Sequence, residues 1–100
     1  MAFVNVGTLG VLPGHRDELV AILTRHSDAM AEVGCQLYEV GVNLDHPDTV
    51  FVAEIWDSPE AHRASLELPE VQAAIAEARP LLSGEMGGFQ FDAVGSPLRD

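Results

Sequence analysis

The fold is decided by Cys35-Gln-Leu-Tyr-Glu-Val-Gly-Val-Asn-Leu44, Asp45-His-Pro-Asp48 and Val50-Phe-Val-Ala-Glu-Ile-Trp56. In the first run Gln36, Tyr38, Val40, Val42 and Leu44 share one side, the period of two that a strand imposes. The last run is mostly apolar on both sides, which predicts a strand covered on both faces. Between them, a proline and two aspartates supply turn chemistry, because their side chains bond nearby backbone N–H groups or pre-set φ. The connection is short, so the two strands are expected to form a hairpin.

Outward from this hairpin the period changes. From His15 to Val33, Leu19, Ile22, Leu23, His26, Met30 and Val33 fall on one helical stripe. Asp17 and Glu18 favour the positive end of that helix, and Gly34 suits its stop. Downstream, Ser58 is a natural N-cap and Pro59 fits the first helical position. Leu68-Pro69 interrupts this helix. A second segment follows with the stripe Val71, Ala74, Ile75, Ala78 and Leu82, and Pro80 should end it near Arg79.

At the margins, Phe3 to Val11 reads as a strand with Phe3, Asn5, Gly7, Leu9 and Val11 on one face. Phe89 to Val94 reads as the last strand, entered through a glycine-rich hinge from Gly84 to Gly88. The order is β-α-β-β-α-β, the ferredoxin-like α+β unit: an antiparallel four-stranded sheet with two helices on one face. Residues 1–95 are expected to form a single domain and 96–100 a tail. The uncovered sheet face needs a partner, and a second copy is the simplest one.

Composition narrows the function. The 100 residues carry five Arg, no Lys and sixteen Asp or Glu, a net charge of −11. Such a chain cannot build a basic groove for nucleic acid, and anionic membrane surfaces repel it. With 47% hydrophobic residues it is a globular composition. One cysteine excludes an internal disulfide. No basic, apolar leader and no membrane-length apolar run is visible, so a cytoplasmic location is expected. The histidines at 15, 26, 46 and 62 have no paired spacing, so no metal site is expected, and no phosphate-binding glycine loop is present.

Gly34-Cys-Gln-Leu-Tyr-Glu-Val, Glu54-Ile-Trp-Asp-Ser-Pro-Glu-Ala-His62 and Ser65 through Pro69 together resemble the antibiotic biosynthesis monooxygenase family. Leu12-Pro13-Gly14 and Arg79-Pro80-Leu81-Leu82 are similar too, and the resemblance covers roughly residues 3 to 94. It implies a homodimeric α+β barrel with a cavity between helices and sheet in each protomer. It also implies oxidation of an electron-rich phenol, quinol or anthrone by O₂ without metal, flavin or other cofactor. The haem-degrading branch uses Asn, Trp and His where this chain has Gly7, Ser65 and Ile75. Against the anthrone branch, Trp56 matches, His62 replaces a Tyr and Val52 replaces an Asn. Many quinol-type members carry a His where this chain has Ser65.

Oxygenation without a cofactor needs a base, a dry pocket and donors for the developing oxyanion. Imidazole titrates near pH ~6.5, so His62 is the expected base. Glu54 shares a strand face with Trp56 and is expected to pair with His62 as the second catalytic group. Trp56, Asn5, Tyr38, Val52, Ser65 and Arg79 are the expected substrate-binding residues. Two other functions suit the same scaffold: isomerase or lyase chemistry on a small carbonyl compound with His62 as proton shuttle, and a non-enzymatic binding or stress-related module.

Overall fold

The structure, a computed structural model, describes residues 1–99. Four strands make one antiparallel sheet: β1 (Phe3–Val11), β2 (Cys35–Asn43), β3 (His46–Trp56) and β4 (Leu82–Asp92), in the order β2-β3-β1-β4. The ferredoxin-like topology therefore stands. Between the strands lie α1 (Arg16–Leu23), α2 (Asp28–Glu32), α3 (Pro59–Ser65) and α4 (Pro69–Ala78), with a 3₁₀ turn at Arg79–Leu81.

The core forms where the helices meet β1 and β3. Val11, Leu19, Val50, Val52 and Ala78 are buried together, with Leu9, Val20, Leu23, Tyr38 and Val40 packed around them. These strand residues belong to the face on which Asn5, Glu54 and Trp56 also lie, because Asn5 pairs with Glu54 and Phe3 with Trp56. The opposite face carries Val4, Val6, Phe51, Ala53, Ile55, Phe89 and Phe91, and the last two phenylalanines are 63% and 49% exposed among the described residues.

Three expected boundaries are corrected. The helix expected over 15–33 is two helices broken at Thr24–Ser27. Thr24 turns its hydroxyl onto the Val20 carbonyl, and Ser27 takes an extended conformation and caps α2 by accepting from Met30 N–H. His26 thus sits in the break, exposed and paired with Asp28, and not on an apolar helix stripe. The hairpin turn is tighter than the expected Asp45–Asp48. Only Leu44 and Asp45 lie outside the ladder, where Asn43 accepts from the Asp45 N–H, and Asn43 pairs with His46. Pro47 is tolerated because β1 reaches along β3 only as far as Thr49, leaving that end at an edge.

The last strand spans Leu82–Asp92, so the expected hinge at 84–88 is strand, and Val94 lies beyond its end. The glycines there serve close approach. A Cβ on Gly88, whose φ is +134°, would lie 2.1 Å from the Val6 carbonyl oxygen. Of the expected tail, Asp100 lies outside the described residues.

Candidate functional site

Strand β3 ends at Trp56, and the two-residue link Asp57–Ser58 leads directly into α3. Ser58 caps that helix by accepting from the Ala61 N–H at 3.0 Å, and Pro59 occupies its start. Gly34 lets the beginning of β2 lie against this link. Its φ is +108°, and a Cβ there would meet Asp57 Oδ2 at 2.8 Å. Asp57 in turn accepts from Gln36 at 2.7 Å. These contacts fix the first turn of α3 over the end of the sheet, so that His62 comes down between Phe3 and Trp56. Its ring centroid lies 5.7 Å from Phe3 and 5.4 Å from Trp56.

Glu54 lies beneath His62 and is 8% exposed. A buried carboxylate is costly without donors, and Glu54 has two neutral ones. Asn5 Nδ2 donates to Oε2 at 2.8 Å, and Trp56 Nε1 donates to Oε1 at 3.0 Å. Trp56 is 1% exposed, so its indole serves the core and the carboxylate together. His62 Nε2 stands 3.9 Å from Glu54 Oε1, close enough for electrostatic attraction and too far for a direct hydrogen bond. The expected Glu54–His62 neighbours are thus brought together.

Above them is a cavity of about 550 Å³ between helices and sheet, within the range of small-molecule sites. Its walls are mainly aliphatic, from Leu9, Ile22, Leu23, Met30, Val71 and Ala74, and its polar groups include Glu54, His62, Tyr38 and Ser65. Ser65 donates to the His62 carbonyl at 2.6 Å, which tightens the end of α3. Tyr38 pairs with Glu54 across the ladder. Burial, then the nearby charge of Glu54, push its phenol up to about 12, so it remains a neutral donor at ordinary pH. Burial also raises the Cys35 thiol, which keeps it protonated at ordinary pH. A second hollow of about 350 Å³ lies between β2 and the α1–α2 break and shares Tyr38, Leu23 and Met30 with the first.

Of the side chains expected against substrate, Trp56, Tyr38 and Ser65 line the main cavity. Asn5, Val52 and Arg79 do not. Asn5 is turned onto Glu54, Val52 is packed into the core, and Arg79 is exposed just past the end of α4, outside the cavity lining. Arg25, Glu70 and Met86 line the cavity without having been expected there. Met30 was visible only as part of the helical stripe. Among the described residues no three His, Cys, Asp or Glu side chains are grouped so as to hold a metal ion, and no helix is long and apolar enough to cross a membrane.

Fold and cavity together define a ferredoxin-like α+β domain with a small-molecule chamber under its helices. The chain belongs to the antibiotic biosynthesis monooxygenase family, whose sequence profile matches residues 2–77. A protein of Chloroflexus aurantiacus J-10-fl, provisionally named for this family, is 40% identical, with 96% of each chain covered and a TM-score of 0.84. One from Deinococcus radiodurans, named the same way, is 28% identical over 96% of this chain and 95% of its own, with a TM-score of 0.76. A Nitrosomonas europaea protein shares the fold at 10% identity, covering 93% of this chain and 90% of its own, with a TM-score of 0.82. Among curated proteins none matches.

Proposed function

We propose that this protein is a cofactor-independent monooxygenase that oxidises an electron-rich phenol, quinol or anthrone-like aromatic with O₂, working as a homodimer. The observation that carries the reading is the meeting of a histidine, a buried carboxylate and a neutral tyrosine at one end of an apolar cavity. The open sheet face, with Phe89 and Phe91 stacked at 6.3 Å and largely exposed, supports the dimer.

The chemistry follows from the spin of oxygen. Triplet O₂ reacts slowly with closed-shell organic molecules, whereas an aromatic oxyanion can pass it one electron. His62 takes the substrate hydroxyl proton, and Glu54 stabilises the imidazolium across the 3.9 Å gap. Tyr38 donates to the oxyanion. Superoxide and the substrate radical then recombine at a C–H carbon of the ring system, and the His62 imidazolium returns its proton to the peroxide anion to give a hydroperoxide. Loss of water from the peroxide leaves a quinone, so one O₂ yields one carbonyl oxygen and one water. The aliphatic walls keep bulk water from the radical pair.

Oxygen uptake with a reduced quinone and with an anthrone tests the reading. His62→Ala should lower turnover by about 10² or more. Unchanged uptake in that variant removes His62 from the reaction. Proton exchange at a substrate carbon without any oxygen uptake overturns the oxygenase reading in favour of isomerase or lyase chemistry.

A further inference from the structure

The register places one residue from each strand in a single row on the helix side: Gln90, Asn5, Glu54 and Tyr38. The row next to it, Gly88, Gly7, Val52 and Val40, has no polar side chain. Three of the four polar residues are linked. Gln90 Nε2 donates to Asn5 Oδ1 at 3.1 Å, and Asn5 Nδ2 donates to Glu54 Oε2 at 2.8 Å. An amide has one accepting end and one donating end. The orientation of Asn5 therefore decides whether Glu54 meets an N–H or a lone pair, and Gln90 is what engages the other end of Asn5.

We propose that Gln90 is a positioning residue that acts through Asn5, holding the amide with its NH₂ toward Glu54 and so keeping Glu54 an acceptor beside His62. The inference rests on the oxygenase reading only in giving Glu54 a role in the site. Two neutral donors, Asn5 and the Trp56 indole, are what make an anion tolerable at this buried position. If both amides turned over together, Asn5 Oδ1 would face Glu54, an arrangement compatible only with a protonated carboxyl. Gln90 is exposed at the sheet edge, so this lever is reachable from outside the core.

The other ionisable groups around Glu54 come from separate elements. Tyr38 stands beside it on β2 and His62 above it on α3, while Glu70 of α4 and Arg25 and His26 of the helix break line the same cavity. Arg25 is engaged by Glu77 and His26 by Asp28.

Trp56 is the only tryptophan, so its indole N–H, bonded to Glu54, gives one cross-peak in a ¹H–¹⁵N spectrum. That peak reports the state of Glu54 without any turnover, so it can fail while the oxygen-uptake assay succeeds, and the reverse. Gln90→Glu puts an acceptor at the edge and should draw the Asn5 NH₂ away from Glu54. At one fixed neutral pH the indole peak should then move away from its parent position, because Glu54 loses a donor and leans more on the indole N–H. Gln90→Leu, which frees Asn5 without reversing it, should move the peak less. In an Asn5→Leu background, or Asn5→Ala if that variant folds poorly, the Gln90→Glu effect should shrink to what the added charge alone produces. An indole peak that stays at the parent position in Gln90→Glu overturns the proposal. So does a Gln90→Glu shift that persists at full size without Asn5.

Discussion

On the helix side of the sheet, the row from Gln90 to Tyr38 crosses an otherwise aliphatic layer, and every one of its central polar atoms is bonded. On the other side, Val6, Ala53, Phe51, Ile55 and the Phe89–Phe91 pair present an apolar surface to solvent, with Glu39 the one charged residue among the register partners there. An antiparallel sheet with one wet face ordinarily shows the reverse: an apolar layer under its helices and a polar layer outside. Here polarity is concentrated under the helices, where a cavity gives it work to do. The outer face is composed like a second core. A chain of net charge −11 with a single carboxylate among those register partners has left the face able to meet a like-charged copy.

The comparison can be tested from its strongest element downward. Leu19 is fully buried under the helix side, and Leu19→Ala should cost about 2–5 kcal/mol in denaturant unfolding. A loss well below that range would mean that the helix side collapses easily around the missing side chain. On the outer face, Phe89→Ser with Phe91→Ser should leave the circular dichroism of the fold in place and dissociate the proposed dimer in sedimentation experiments. A parent protein that sediments as a monomer at micromolar concentration would show that this face stays open.

Tyr38 sharpens the helix side. It is the only tyrosine, so the ultraviolet absorbance of phenolate should show half-ionisation near pH 12, against about 10 for a free phenol. Because folding raises this group, its contribution to stability is complete below about pH 10 and is lost as pH rises through about 12. Tyr38→Phe should lack that alkaline decline in unfolding experiments. The smallest effect belongs to Glu77→Gln, which breaks the two-pronged pair with Arg25 on the surface. It should leave the thermal midpoint essentially where it is, because exposed ion pairs contribute little.

The elements most legible in the sequence were those bounded by local chemistry. β1 runs from Phe3 until Leu12-Pro13-Gly14 breaks the chain, and Ser58-Pro59 announces α3 through capping chemistry alone. The meeting of Glu54, Trp56 and His62 was also readable, since residues two apart share a strand face and the link to α3 is short. Two expectations failed because they depended on partners distant in sequence. The run Ser83-Gly-Glu-Met-Gly-Gly88 reads as a loop by composition, yet it is strand because β1 comes so near that Gly88 has no room for a Cβ. Asn5 was expected against substrate, and only the pairing of β1 with β3 and β4 turns it onto Glu54 and Gln90. The stripe through His26 hid the stop at Thr24, where a local hydroxyl bond competes with helix continuation.

The break between α1 and α2 separates two kinds of wall. Glu54, Trp56 and His62 stand on β3 and α3, tied to the sheet, whereas Arg25, His26, Ser27 and Met30 come from the break and a helix of only five residues. Exchanging the segment from Thr24 to Glu32 would reshape the chamber's outer wall while sparing β3 and α3, which hold Glu54, Trp56 and His62. The shape of what the chamber admits and the polar end that meets it are thus set by separate stretches of chain.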